Sequence, residues 1–282
     1  MKVKIITDST CDLSKELIKK YDIEVLPLYV NFEDSTYLDG VDIDVNKLYE
    51  LVEKKNELPK TAAVAIPTIE DVFKKYLDEG YDIVYTGISK AMSRTFENTY
   101  MIAQELDPER IFPVDSKNLS TGIGLLLLKA CKYRDQGLSA KEIAANLEKD
   151  RELVLSQFAI EKMDFLHKGG RCSSVAAFLG TMLKIKPIIA VRDGKMHVAK
   201  KPIGKMKMAL DVMLNQIEAD KDRLDTDHIF VTHSLAYEYA EYLKEKLLEK
   251  FPNVDIIETV AGCVISSHCG KGTIGILYMV KN

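Results

Sequence analysis

Residues 82–135 read DIVYTGISKAMSRTFENTYMIAQELDPERIFPVDSKNLSTGIGLLLLKACKYRD. Asp82–Gly87 and Arg110–Val114 are short, apolar and rich in β-branched residues, as buried strands are. Thr95–Leu106 and Leu119–Asp135 carry apolar residues at helical spacing. A strand, a helix, a strand and a helix in that order predict parallel pairing, with helices covering both faces of a sheet. The same alternation extends towards the N-terminus. Val3–Thr7 and Ile23–Val30 read as strands, and Leu13–Tyr21, Asn46–Lys54 and Ile69–Leu77 read as helices. Beyond the stretch, Gly137 suits a helix C-cap, and Ser139-Ala-Lys-Glu142 is a capping box that opens another helix.

The second half has a different texture. Leu153–Ile160 predicts a strand and Val175–Leu183 a buried helix. Ile188–Arg192 and Lys195–Lys200 flank Asp193-Gly194, the dipeptide that suits a type I′ hairpin turn. Helix Lys205–Ile217, strand His228–Thr232, helix Tyr237–Lys250, strand Asp255–Thr259 and a last strand Ile274–Val280 follow. The expectation is a two-lobed α/β protein with any ligand between the lobes. Residues 1–151 would form a mostly parallel α/β domain, and residues 152–282 a mixed α+β domain.

Composition narrows the class. The chain has 282 residues, 46% of them apolar, with 39 basic and 43 acidic side chains and a net charge of −4, so a polyanion such as nucleic acid is not expected as a partner. Lys2 and Lys4 lead into a strand with no apolar h-region behind them, which is not the pattern of a secretory signal. Cys11, Cys131, Cys172, Cys263 and Cys269 are odd in number and contain no CxxC. That suits reduced thiols in the cytoplasm rather than a disulfide framework or structural zinc. Charge is uneven. Asn31–Glu50 holds six acids and one lysine, while Lys184–Lys207 holds eight basic residues and only Asp193 opposing them. Each is either a solvated face or a contact surface; for the basic run the contact would be an acidic partner or an anionic membrane.

The sequence lacks GxxxxGK[ST], HExxH and GxSxG. Gly270-Lys-Gly-Thr-Ile-Gly275 matches GxGxxG but precedes the last strand with seven residues remaining, leaving no room for the βαβ unit of a dinucleotide site. Hydroxyls instead gather at strand ends. Asp8-Ser-Thr-Cys-Asp12 follows the first strand and reads as a turn with a helix N-cap or as a ligand contact. Ser89, Ser93 and Thr95 follow the third, and Asp115, Ser116, Asn118 and Ser120 the fourth; both groups could receive an anion. His268 falls in the turn Ser266–Gly270, structural or functional. His233-Ser234 resembles a base–nucleophile pair without an identifiable orienting acid. His167-Lys-Gly-Gly-Arg171 is either a capped helix end or a basic loop exposing an arginine.

Asp8-Ser-Thr-Cys-Asp-Leu13, Tyr37-Leu-Asp-Gly40, Ile88-Ser-Lys-Ala-Met-Ser-Arg-Thr-Phe96, Asp115-Ser-Lys-Asn118, Phe165-Leu-His-Lys-Gly-Gly-Arg171, Ile185-Lys-Pro187 and Ser267-His-Cys-Gly-Lys-Gly-Thr-Ile-Gly275 occur in order along the chain. This ordered set resembles the DegV family. The resemblance implies a two-lobed protein that buries one long-chain fatty acid and acts as the non-catalytic, fatty-acid-binding subunit of bacterial fatty acid kinase. It would present the carboxylate to a separate ATP-binding subunit that forms an acyl phosphate. The family pattern places carboxylate binding on Thr61, Ser93 and His268, with Ser267 nearby, and puts Arg171 near the head group and the kinase-docking face. This chain departs from the pattern at Ala62-Ala63-Val64, where Ser-Gln-Pro is usual. It also has Arg94 in place of glycine, and Ser267 and Cys269 in place of threonines. Arg94 either adds a cation beside the carboxylate or points to solvent.

A chain of about fifteen methylenes gains on the order of 10 kcal/mol on full burial at ~0.8 kcal/mol each, before association costs. The tail therefore needs an apolar tunnel, for which Phe178, Leu179, Met182 and Ile188 are the expected lining, together with Val175. The carboxylate needs donors, because an unpaired buried charge is very costly. No cofactor or metal is expected. Two rivals remain: a small-molecule hydrolase using Ser93 with His268, and a kinase-independent lipid carrier whose Lys184–Lys207 hairpin approaches an anionic membrane.

Overall fold

The computed structural model describes residues 2–172 and 185–281. The helix expected over Val175–Leu183, and with it Phe178, Leu179 and Met182, lies outside the described residues.

The opening apolar run forms β1 (Lys2–Asp8), buried at every residue after Lys2. Helix α1 (Lys15–Lys20) is capped by the Ser14 hydroxyl, which accepts the Leu17 N–H at 3.3 Å. β2 (Ile23–Leu26) pairs parallel with β1. The single strand expected over Ile23–Val30 is in fact two, because Pro27 has no N–H to continue a ladder. After it the chain enters β3 (Tyr29–Phe32), which leaves the first sheet. β3 pairs antiparallel with β4 (Ser35–Leu38) and, beyond α2 (Val45–Lys55), with β5 (Lys60–Ala62). This three-stranded sheet was not expected from sequence. Strands of three or four residues show too little alternation to stand out.

Helix α3 (Ile66–Asp78), β6 (Tyr81–Gly87), α4 (Thr95–Leu106), β7 (Ile111–Asp115) and α5 (Thr121–Asp135) follow. They complete a wholly parallel sheet in the order β2-β1-β6-β7. Helix α6 (Ala140–Asp150) carries the expected capping box of Ser139 and Glu142. Then come β8 (Val154–Ala159), α7 (Asp164–Gly169), β9 (Ile188–Arg192), β10 (Lys195–Lys200), α8 (Met206–Ala219), β11 (Leu224–His233), α9 (Tyr237–Lys250), β12 (Asp255–Val260), α10 (Cys263–Cys269) and β13 (Ile274–Val280). Their strands form a mixed six-stranded sheet in the order β10-β9-β8-β13-β11-β12, parallel only between β11 and β12. Asp193 and Gly194 both take positive φ (49° and 75°), as a type I′ turn requires.

The layers explain the burial pattern. α3 and α4 cover one face of the parallel sheet through Ile69, Phe73 and Ile102. α5 and α6 cover the other, and α5 also packs on Phe158, Phe230 and Leu277 of the six-stranded sheet. A helix shared by two sheets must be apolar nearly all round, and α5 is. α8 and α9 cover the far face through Leu210, Met213 and Leu243. Among the described residues no helix is long and apolar enough to cross a membrane.

Candidate functional site

In the parallel sheet the chain leaves β1 for β2 and returns on the other side as β6. Ligands of open α/β sheets bind outside the strand ends at such a reversal. Of the residues after β6, Ile88 and Lys90–Arg94 wrap one side of a cavity of about 400 Å³. Thr61 of β5, Leu119 ahead of α5, Met196 of β10, and Val264, Ile265, His268 and Cys269 of α10 also line it, with Arg171. Ile88, Leu119, Met196, Val264 and Ile265 are buried, whereas Thr61, Ser93 and His268 are half-buried, and Lys90, Arg94 and Arg171 are exposed. Polarity thus grades from an apolar floor, through hydroxyls and an imidazole, to a cationic rim.

His268 Nε2 lies 2.8 Å from Thr61 Oγ1. Burial and, secondarily, the Arg171 guanidinium lower its pKa to about 4, so the ring is neutral at physiological pH and carries a single N–H. Its Nδ1 is buried with no hydrogen-bond partner among the described residues. Ser93 Oγ lies 3.0 Å from Thr95 Oγ1 and accepts the Thr95 N–H at 3.2 Å. Ser93 and His268 each engage a different threonine, so the Ser–His pair that the hydrolase reading needs is not formed.

His268 lies in the last turn of helix α10, not in the turn expected from its glycine-rich surroundings. Seven residues give little periodicity, and the helix is imposed from outside. Asp12 accepts the Gly262 N–H at 2.8 Å and the Ser120 hydroxyl at 2.5 Å. Asp39 accepts the Cys263 N–H at 2.8 Å and the Val264 N–H at 3.2 Å. Two carboxyl groups from the first lobe thereby satisfy three backbone donors at the start of α10. Burial, the larger influence, pushes the Asp12 carboxyl up to about 8 and raises that of Asp39. Asp39 sits in Tyr37–Gly40, one of the segments that carry the family resemblance, yet its capping role had no local signal.

Other expected residues are placed elsewhere. The Ser267 hydroxyl donates to Cys263 O at 2.7 Å and is buried within α10, away from the cavity lining. Ile188 is buried on the opposite face of the six-stranded sheet, packed with Met206 and Leu210 of α8, and does not line the cavity. Strand alternation decides this, since its neighbour Ile189 faces the α5 side. Arg94 points to solvent beside Glu97, 3.4 Å away. Arg171 is exposed, its Nη1 donating to Gly169 O at 2.7 Å. It follows the end of α7, which Gly170 caps in the left-handed region, so the basic segment is a helix end.

The hydroxyls at the other strand ends are consumed internally. Ser89 donates to Gly194 O at 2.9 Å, tying the first lobe to the hairpin, and Ser156 donates to Asn118 Oδ1 at 2.7 Å. Asp8 is buried and accepts the Tyr85 hydroxyl at 2.8 Å and the Ile88 N–H at 2.9 Å. His233 bonds Glu258 through Nε2 at 3.1 Å and accepts the Ala236 N–H on Nδ1, whereas Ser234 bonds Tyr49 and Ser266. That histidine is spent on structure.

The family model for DegV, described as an uncharacterised protein family, matches residues 2–281. A DegV domain-containing protein of Clostridium acetobutylicum is 37% identical over 280 residues, covering 99% of each chain. Among solved structures, a DegV family protein from Thermus thermophilus described by its fatty acid binding superimposes with a TM-score of 0.92 at 28% identity, covering 99% of this chain and 100% of that one. DegV from Bacillus subtilis, described as a fatty acid binding protein, does so with a TM-score of 0.89 at 29% identity, covering 100% of both. With the match running from the first strand to the last and the two-lobed fold in common, the chain is a member of the DegV family.

Proposed function

We propose that this protein binds one long-chain fatty acid, its tail on the apolar floor of the cavity and its carboxylate among Thr61, Ser93 and His268. It then presents that carboxylate to a separate ATP-dependent kinase subunit that forms the acyl phosphate. The observation that carries this reading is the graded cavity, apolar at its base and lined by neutral donors below a cationic rim. Its size is within the range of roughly 300–1,000 Å³ usual for small-molecule sites. The fatty acid binding described for the Thermus and Bacillus relatives supports it. A neutral imidazole N–H and two hydroxyls can share a carboxylate through charge-assisted bonds. Arg171 and Lys90 add attraction at the rim, where the kinase subunit would dock. Phosphoryl transfer needs Mg²⁺ and phosphate-positioning groups, which the partner would bring. The five free, buried thiols suit a cytoplasmic setting.

The test is native mass spectrometry of the purified protein, followed by organic extraction and lipid analysis. One fatty acid per chain, lost in Ser93→Ala and His268→Ala, is the expected result. An empty protein that takes up no added fatty acid would overturn the binding reading. Normal uptake without ATP-dependent acyl phosphate in the presence of a cognate kinase subunit would overturn presentation and leave a lipid carrier.

A further inference from the structure

A second and larger cleft, of about 960 Å³, opens at the end of α10 remote from His268. Asp12, Asp39, Gly262 and Cys263 line it at the capped start of that helix. It shares no lining residue with the cavity of Thr61 and His268. α1 presents Lys15, Ile18 and Lys19 to it, β2 contributes Val25, and Val41 comes from the connection between β4 and α2. Three of the large apolar side chains that stand exposed among the described residues gather here, Val41 at 67%, Tyr237 at 55% and Val260 at 39%. Exposed apolar side chains grouped around a cleft mark a binding site, whereas scattered ones do not. The volume falls within the range of roughly 300–1,000 Å³ usual for small-molecule sites.

Five acids line the cleft, and four of them are committed or neutral. Asp22 bonds Lys4 at 2.7 Å, and Glu258 bonds Lys244 at 2.8 Å and His233 at 3.1 Å. Burial pushes the Asp12 carboxyl up to about 8 and raises that of Asp39, so Asp12 is mainly protonated at neutral pH. The fifth, Asp44, is exposed and accepts the Lys47 N–H at 2.8 Å as the cap of α2. Lys15 and Lys19 are the only cations of the lining, and among the described residues neither makes a salt bridge. Four residues apart, they share one face of α1. Two ammonium groups one helical turn apart suit a doubly charged phosphate, which lysine binds as a point charge, whereas arginine's planar fork is the better match for a carboxylate. A solvated face would need only the lysines. The valines and the tyrosine gain from an apolar group that covers them, and a cationic ligand would meet the unpaired ammonium groups.

We propose that this cleft is a second ligand site, which takes a single-chain amphiphile with a phosphate monoester head. Lys15 and Lys19 hold the phosphate, and Ile18, Val25, Val41 and Val260 cover the aliphatic tail. Its occupant lies against the end of α10 that Asp12 and Asp39 hold, while His268 faces the other cavity from the last turn of the same helix. The inference stands on this cleft alone and does not depend on what the cavity of Thr61 and His268 binds.

The test is photolabelling of the full chain with dodecyl phosphate that carries a diazirine near the end of its tail. Mass spectrometry locates the label, so the half-saturating concentration is read for the cleft separately from that of the other cavity. Label is expected on residues 13–27, 41–46 or 258–263. Lys15→Gln with Lys19→Gln should raise the half-saturating concentration of the cleft about 3- to 30-fold, as for two exposed ion pairs, and Lys15→Arg with Lys19→Arg should largely restore it. Val41→Ser with Val260→Ser should raise it about 10-fold. All four positions are at the surface, and thermal midpoints serve as the folding control. Absence of label in the cleft, or cleft label indifferent to both pairs of changes, would overturn the proposal. Equal cleft labelling by the matching carboxylate or trimethylammonium probe would do the same. So would a dimer in solution that excludes the label and is broken by Val41→Ser with Val260→Ser, which would mark the cleft as a contact between copies of this chain.

Discussion

Gly169 decides where the His268 ring can lie. A Cβ built on it would stand 2.4 Å from His268 Nδ1 and 3.3 Å from Cγ, so in Gly169→Ala either the ring or the end of α7 must move by about an ångström. The ring is the freer of the two, since Nδ1 has no bond to hold it, and turning it away breaks the 2.8 Å contact with Thr61. Forced repacking costs about 1–3 kcal/mol, and alanine in a helical position returns about 1 kcal/mol relative to glycine. Net stability should therefore change little. Ligand binding should change much more. The loss of one hydrogen bond to a charged carboxylate is worth about 1.5–3 kcal/mol, roughly a 10- to 150-fold rise in Kd. Displacement of a fluorescent fatty acid measures the Kd, and a thermal melt measures stability. Gly170→Ala is the counterpart. It has no atom within 4 Å of a new Cβ but a φ of +69°, so it should cost about 1–2 kcal/mol of stability and leave the Kd alone. Gly169→Ala protein that binds as tightly as the unaltered chain would refute the assignment of His268 to the carboxylate.

Other substitutions separate the site from its surroundings. Thr61→Val keeps the shape but removes the hydroxyl beside His268, and should raise the Kd about 10- to 100-fold. Ser267→Ala should leave the Kd unchanged in the same assay, because that hydroxyl is already given to Cys263 O. Ile188→Ala should lower stability by about 2–4 kcal/mol in a denaturant titration, as expected for a buried aliphatic packed under α8, again without altering ligand affinity. The Asp12 carboxyl is raised to about 8 when folded, so between the two pKa values the native state holds a proton that the unfolded chain has released. Stability from Asp12 is thus present at low pH and declines as pH rises towards about 8. His268, lowered to about 4, acts with the opposite sign below its unfolded value of about 6.5. The Asp12 slope should therefore show between about pH 6.5 and 8 and flatten in Asp12→Asn, measured as thermal midpoint against pH.

Elements with long or strongly patterned signals were legible. Thr95–Leu106, Tyr237–Lys250 and Ile274–Val280 have the expected bounds, and the Asp193-Gly194 turn has the expected geometry. What failed was whatever depends on distant partners. β4 and β5 exist because β3 offers an edge on each side, and α10 exists because Asp12 and Asp39 cap it from far along the chain. The same limit governs the site. Periodicity names Ile188 and Ile189 as equally apolar, and only the packing of α8 on one face decides which is turned away from the cavity. Met196 had no mark in sequence beyond its place in the hairpin, yet it lines the cavity. The hydroxyls of Ser89 and Ser93 look alike along the chain. The first is drawn into the hairpin contact with Gly194 and the second remains half-buried at the cavity.

The capping of α10 has a consequence for affinity. Thr61 and Ser93 belong to the first lobe, whereas His268 and Met196 come from the second half of the chain, so any ligand that touches all four binds across the lobes. The position of His268 relative to Thr61 is supported by Asp12 and Asp39, whose carboxyl groups hold the opposite end of the helix. Neither carboxyl group lines the cavity. Their bonds to α10 nevertheless fix the distance over which Thr61 and His268 meet, so loosening them costs binding free energy as surely as removing a donor. The coupling is reciprocal. A ligand bound only with His268 held in this position, at a hundredfold excess over its Kd, adds about 2.7 kcal/mol to the stability of that arrangement. That is comparable to what a pair of buried capping bonds contributes. Occupancy of the cavity and the hold of Asp12 and Asp39 on α10 are in this sense linked, and His268 is where the two are joined.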